Sequence, residues 1–340
     1  MSSLPWIAFV LLVLLLLGLD LGLLNRRPHA ITARQALRWT AFWVAIALTF
    51  NVAIAFMYEY GWFGVGTRYG TRLTGEQAGL QFFTAYLVEE SLSVDNLFVM
   101  ALVFRAFGVP ERFQHRVLFL GILGALIFRA TFIIAGLALI QLFHWTVYVF
   151  GALLVFTAVR MLFAKDEAPE LHDNFFVKLA QRFIPITSEY HGEKLLVRLE
   201  GKLHATPLVL ALVVIETSDV IFAVDSVPAV LGVTQDPFIA FTSNVFAILG
   251  LRSLYFALAA VLSSFQYLKV SLVLVLGFVG AKMLLTHYLP IGSGLSLLVI
   301  VGLLAGGVVT SIIAKRKAEQ QAPAVEPQPA PTGERAQEKL

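Results

Sequence analysis

Six carboxylic acids stand in stretches that are otherwise apolar enough to cross a lipid bilayer. Tyr86–Phe104, YLVEESLSVDNLFVMALVF, carries Glu89, Glu90 and Asp95, and Leu212–Leu231, LVVIETSDVIFAVDSVPAVL, carries Glu216, Asp219 and Asp225. An ionised side chain at the centre of a membrane helix costs about 2.5–3.5 kcal/mol on insertion scales. Acids kept at that cost face the inside of a helix bundle, where they bind cations, pair with basic groups or pass protons. The donors around them are all oxygens: carboxylates, the Asn96 amide, the hydroxyls of Ser93 and Ser226, and main-chain carbonyls. Such a set suits hard divalent cations, Mg²⁺, Ca²⁺ or Mn²⁺. The chain has no Cys, so disulfides, Fe–S clusters and thiolate metal sites are excluded. His115, His144 and His287 fall near helix ends and not beside the acids, which disfavours zinc and copper. Met100 lies on the Asn96 face and reads as packing filler.

Spacing selects among these groups. Glu89, Ser93 and Asn96 share one helical face, as do Glu216, Asp219, Ala223 and Ser226. Asp95 and Asp225 stand six residues beyond Glu89 and Asp219 and leave those faces. They are expected to flank the stripes or to lie where a helix is broken. Pro228 removes the helical partner of the Val224 carbonyl and is expected to help open the second span, freeing an oxygen next to Asp225. Glu90 sits off the Glu89 face and is left out of the site.

The two acidic stretches are also copies of one another. EESLSVDN from Glu89 aligns with DVIFAVDS from Asp219, matching Glu89 to Asp219, Asp95 to Asp225 and Asn96 to Ser226. GILGAL from Gly121 then meets AILGLR from Ala247, and AVRML from Ala158 meets GAKML from Gly280, the offset shrinking from 130 to 126 to 122. Each copy holds three spans, an odd number, so the copies thread the membrane in opposite directions. That is an inverted repeat, an architecture that places a binding site near the bilayer midplane. Glu89 and Asp219 both lie about halfway along their spans.

The elements that must position these residues are helical spans. Apolar runs of about 20 residues recur at 4–24, 37–57, 78–104, 117–139, 143–164, 207–231, 238–262, 268–288 and 295–313. The fold class is therefore an all-α polytopic membrane protein of about nine spans, with spans 3–5 and 6–8 as the 3+3 repeat. Two N-terminal helices occupy 1–77, the first repeat 78–164, a cytoplasmic loop 165–206, the inverted repeat 207–290, the last span 291–317, and a Pro-, Ala- and Gln-rich tail, expected to be disordered, 318–340. The first apolar run has no positive leader and no small-residue cleavage site, and reads as a retained span. Pro207 in ATPLVLALVV marks a helix start. In the 165–206 loop, NFFVKLAQRF suggests an amphipathic helix and KLLVRLEGKLHATP a hairpin turning near Gly201.

Basic residues set the orientation. Arg26, Arg27, Arg34, Arg38, Arg105, Arg112, Arg116, Lys269, Lys315, Arg316 and Lys317, with the basic residues of the long loop, fall on one side, against Arg68 and Arg72 on the other. The positive-inside rule puts the N-terminus outside and the C-terminus in the cytoplasm. Within the spans, Arg129, Arg252 and Lys282 are candidate counter-charges, and Arg160 lies near a cytoplasmic end. The six acids outnumber the three intramembrane cations, and a divalent ion or protons would balance the difference. Composition agrees: 58% of residues are hydrophobic and 14% charged, where a soluble domain has about 25%, and mean hydropathy is +0.81. The basic excess lies in loops, so it describes topology and not nucleic-acid binding.

With YLVEESLSVDNLFV, ATPL, ETSDVIFAVDSVPAV, TQDPFIAFTSN and FAILGLRSLYF in hand, the chain resembles the TerC family of integral membrane proteins, its Alx-type members in particular. The resemblance runs from about Asp20 to the end of the last span; Gln235 stands where Thr or Asp is usual. It implies a manganese exporter of the cytoplasmic membrane, related in fold to LysE-type transporters, with Mn²⁺ as transported substrate and no permanently bound cofactor. It further implies a metal site at Glu89, Asp95, Asn96, Glu216, Asp219 and Asp225. Residue chemistry alone leaves Mn²⁺, Mg²⁺ and Ca²⁺ open, along with inward proton flow as the coupling. Export of another cation or an amino acid, and a membrane scaffold or insertion partner without transport, are the alternatives. No HExxH or Gly-x-Gly-Asp motif occurs, so no enzyme is expected.

Overall fold

The computed structural model describes residues 4–24, 33–65, 73–163, 185–187, 189–199, 201–259, 268–289 and 291–321. They form nine α-helices and one hairpin: α1 (Leu4–Leu24), α2 (Ala33–Glu59), α3 (Gly75–Ala106), α4 (Glu111–Leu142), α5 (Thr146–Phe163), β1 (Leu196–Leu199), β2 (Lys202–Ala205), α6 (Pro207–Val233), α7 (Pro237–Ala259), α8 (Leu268–Leu284) and α9 (Ser293–Gln321). Six of these helices contain windows long and apolar enough to span a membrane, and α1 and α8 add shorter apolar stretches. The chain is an all-α polytopic membrane protein.

The helices overrun the expected spans because their polar flanks keep helical geometry past the apolar core. Thr74 caps α3 with a reciprocal capping box: its hydroxyl accepts from the Gln77 N–H at 3.2 Å, and its own N–H donates to Gln77 Oε1 at 3.2 Å. Asp236 caps α7 by accepting from the Phe238 and Ile239 amides, and also accepts from the Tyr58 hydroxyl of α2 at 2.7 Å. Pro207 takes the first position of α6, as expected.

Two expectations change. α6 runs unbroken through Pro228; α3 also runs unbroken through Asp95, which leaves the flanking alternative for that residue. Pro228 deletes one helical bond, but Val227, Ala229 and Val230 around it are packed into the core, which holds the helix together. α9 continues to Gln321, past the expected tail boundary, because Ala318, Glu319, Gln320 and Gln321 are good helix formers ahead of Pro323. Residues 164–184, with the proposed amphipathic helix, and the tail from 322 lie outside the described residues, as do the side chains of Asp95, Lys269, Lys315, Arg316 and Lys317. The hairpin is present, β1 pairing antiparallel with β2 beside Gly201, whose φ of 80° is one that a glycine adopts freely. The segment ahead of it reaches the α3–α4 turn, where the Tyr190 hydroxyl donates to the Phe107 carbonyl at 2.6 Å.

α7 lies at the centre, with 89% of its apolar window buried, while the windows of α2 and α9 are 17% buried and turn their apolar sides outward. A central helix surrounded by protein tolerates polar residues that a lipid-facing one does not, and α7 accordingly carries Thr242, Ser243, Asn244 and Arg252. Around it, α3 packs on α7 and α6 packs on α4, while α3 also meets α6, α4 meets α7 and α5 meets α8. An aromatic slab of Trp6, Phe9, Phe50, Phe82, Phe238 and Phe246 ties α1 and α2 to α3 and α7.

Candidate functional site

The seam between α3 and α6 is where the two acidic helices meet. Glu89 sits near the middle of α3 and Asp219 near the middle of α6, and both are buried, at 0% and 2% exposure. Arg129 of α4 joins them. Its guanidinium pairs with Glu89, reaches Asp219 Oδ1 at 3.5 Å, and donates to the Ser226 hydroxyl at 3.2 Å. Asn96 closes the seam from α3, its amide donating to Asp219 Oδ1 at 2.9 Å. Helical spacing positions these groups: Glu89, Ser93 and Asn96 form one stripe on α3, and Asp219, Ala223 and Ser226 one stripe on α6.

The other expected residues divide. Glu216, one turn from Asp219, lies against the backbone of α4 at Gly124, where any side chain would collide with its carboxylate. Asp225 lies apart from the seam, accepting from the Thr157 hydroxyl of α5 at 2.9 Å. About 9 Å of helix rise separates it from Asp219. A cavity of about 240 Å³ lies beside Asp225 and extends to Arg129 and Ser226 at the edge of the seam, with Leu92, Thr157 and Arg160 among its other lining residues. Glu90 turns away from the seam to Tyr86 and Gly250, in keeping with its place off the Glu89 face. Arg252 is buried on α7, and Lys282, near the end of α8, makes no ion pair among the described residues. Arg129 is the counter-charge that meets Glu89 and Asp219, and Arg160 shares the cavity with Asp225.

Hydrogen bonding decides which oxygens are spare. The hydroxyls of Ser91, Thr217 and Ser218 return to carbonyls of their own helices and are committed. Glu89 Oε2, Ser93 Oγ, Asn96 Oδ1, Glu216 Oε2 and Asp219 Oδ2 are buried without a hydrogen-bond partner among the described residues. A buried acceptor left unmet costs about 1–3 kcal/mol, so several along one seam mark a place built to receive a donor or a cation. Carboxylate, amide and hydroxyl oxygens favour a hard cation over a soft one. Among the described residues no three His, Cys, Asp or Glu converge closely enough to hold a metal by themselves, so a bound cation would draw on Asn96, Ser93 or water as well. Sequence reasoning missed Thr157 and Gly124. Thr157 stood one turn before Arg160 in an apolar run, and Gly124 is a small residue in GILG, of the kind that lets membrane helices approach closely.

Comparison with known proteins agrees with this membrane architecture. The profile of the Integral membrane protein TerC family matches residues 74–319. A membrane protein of Myxococcus xanthus is 43% identical over 313 residues, covering 92% of this chain and 93% of that one. A protein of Escherichia coli K12 named Alx, a candidate membrane-bound redox modulator, is 43% identical over 313 residues, covering 92% and 94%. A membrane protein of Rickettsia bellii is 35% identical over 316 residues, covering 93% and 99%. No solved structure matches the chain.

Proposed function

The chain belongs to the TerC family of integral membrane proteins, and from that premise we propose that it exports Mn²⁺ from the cytoplasm through the α3–α6 seam in exchange for protons. The observation that carries the reading is the row of buried, unpartnered oxygens at Glu89, Ser93, Asn96 and Asp219, contributed by two helices that match in register. The packing has the pattern that two such copies would give, which supports the reading: exchanging α3, α4 and α5 with α6, α7 and α8 maps the α3–α7 contact onto α6–α4 and each of α3–α6, α4–α7 and α5–α8 onto itself. In this reading Glu89, Asn96 and Asp219 form the midplane site, while Glu216, Asp225 and Asp95 serve the approaches to it. Metal binding and protonation compete for the same carboxylates, which supplies a coupling. The redox description carried by relatives fits metal handling better than thiol chemistry, because this chain has no Cys. The protein would sit in the cytoplasmic membrane, N-terminus outside and C-terminus inside.

Metal flux into proteoliposomes under a pH gradient tests the proposal. Mn²⁺ should move in the wild type and stall in Glu89→Gln and Asp219→Asn. Flux that both substitutions leave unchanged overturns the site. Ca²⁺ or an amino acid moving in preference to Mn²⁺ overturns the substrate.

A further inference from the structure

Arg129 does something unusual for a structural ion pair. It bridges equivalent acids of the two copies, Glu89 and Asp219, at the point where a transported cation would be held, and it also lines the neighbouring cavity. We propose that Arg129 is a tethered competitor of the transported cation: its guanidinium occupies Glu89 and Asp219, and the arriving ion displaces it into the cavity toward Asp225. The inference rests on the transport reading above and adds an internal residue that sets cation affinity and turnover.

Charge and geometry carry the argument. Two carboxylates and one guanidinium leave the seam with one net negative charge. A divalent ion in place of the guanidinium neutralises both acids. The displaced head remains buried and must find another anion, because stranding a charge after removing its partner costs about 3–5 kcal/mol. Asp225 faces the same cavity that Arg129 lines, so the guanidinium has a third acid in reach, which it would share with Arg160 on the cavity wall. Asp225 is held for that role by Thr157. Arg129 also has slack to move, since its Nε lacks a hydrogen-bond partner among the described residues and its Ser226 contact, at 3.2 Å, is a single bond. A fixed cation that must be expelled keeps the bound ion from being held too tightly, and a transporter needs that in order to release its cargo.

The test is equilibrium Mn²⁺ binding to the purified full chain in detergent, read from the loss of the free-ion electron paramagnetic resonance signal. Arg129→Gln should bind Mn²⁺ at least about tenfold more tightly than wild type, since roughly 1.4 kcal/mol of competing attraction is enough for that. Its proteoliposome flux should fall at the same time. Arg129→Lys, which keeps the charge but not the fork that spans two acids, should fall between. Millimolar guanidinium should return Arg129→Gln to wild-type affinity. Structural damage does not tighten binding, so a folded Arg129→Gln that binds no better than wild type overturns the proposal. Should Arg129→Gln not fold, the charge-balanced Glu89→Gln/Arg129→Gln pair replaces it. That pair should bind about tenfold tighter than Glu89→Gln alone, and equal affinity overturns the proposal. Wild-type binding that Glu89→Gln leaves untouched overturns the transport site and this proposal together.

Discussion

Gly280→Ala tests whether the packing that frames the cavity is as close as the geometry requires. α5 and α8 cross at Gly151 and Gly280. A β-carbon on Gly280 would lie 2.8 Å from the Gly151 carbonyl oxygen, 2.9 Å from Val155 Cγ2 and 3.0 Å from Leu154 Cβ. Ordinary contact begins near 3.4 Å, so the helices would have to part by about 0.6 Å. The first obstacle is backbone, which cannot rotate aside as a side chain does. Overpacking of this kind costs typically 1–3 kcal/mol, and the backbone clash argues for the upper half of that range, about 2–3 kcal/mol. Gly277, one turn earlier on α8, is the control: its β-carbon would meet Ala158 Cβ at 3.9 Å, an ordinary contact. Gly277→Ala should be neutral or stabilising by up to about 1 kcal/mol through helix propensity. Denaturant titration of both variants in the same detergent, with tryptophan fluorescence as the probe, gives the comparison. Moving α5 also lengthens the Thr157–Asp225 bond, so Mn²⁺ flux should fall in Gly280→Ala and persist in Gly277→Ala. Equal stability of the two variants would refute the close crossing.

Other outcomes follow from the same contacts. Thr157→Val removes the donor to Asp225 and should slow Mn²⁺ flux severalfold, whereas Thr157→Ser, which keeps a hydroxyl, should restore most of it. Gly124→Ala drives a methyl into the Glu216 carboxylate and should impair flux; adding Glu216→Asp, one methylene shorter, should recover part of the loss. The natural absence of Cys makes single-cysteine labelling clean. Cysteines at exposed Trp62 and Tyr288 should react with an impermeant maleimide in intact cells, and one at exposed Leu203 only after lysis; the reverse pattern would invert the proposed topology. Asn96→Ala strips one donor from buried Asp219 and should destabilise the fold by about 0.6–1.7 kcal/mol, the range for polar contacts between membrane helices, as read by the same denaturant titration.

Much of the architecture was written in hydropathy. Nine apolar runs near 20 residues long became nine helices, and the misjudged ends were those where polar residues extend a helix beyond the apolar core, as at Glu111–Arg116 and Ala318–Gln321. Helical periodicity correctly separated Glu90 from Glu89 and put Asn96 with Glu89, because both statements concern one helix. Relations between helices were harder to read. The repeat register indicated that Glu89 and Asp219 correspond, but nothing in the α4 sequence says that Arg129 reaches both while Lys282 reaches neither. Thr157 is polar in an apolar helix, yet such a hydroxyl normally bonds to its own backbone, as Thr84 and Thr217 do. Its donation to Asp225 depends on how α5 is rotated against α6, and packing decides that. Pro228 shows the opposite error: a local rule forecast a broken helix, and tertiary burial overrode it.

The aromatic slab that ties α1 and α2 to α3 and α7 divides the molecule mechanically. Sliding α7 past α2 would shear Phe50 from Phe246, ring centroids 4.7 Å apart, and pull Tyr58 from Asp236. Those contacts resist relative sliding in that half. α5 meets α6 through Leu154, Ala158 and Ala229 as well as the Thr157–Asp225 bond, but a cavity opens beside that bond, so this line has room to move that the ring contacts lack. Spin-label distances taken with and without substrate should therefore stay constant between α2 and α7 and change between α5 and α6. The opposite result would mean that the rings act as bearings.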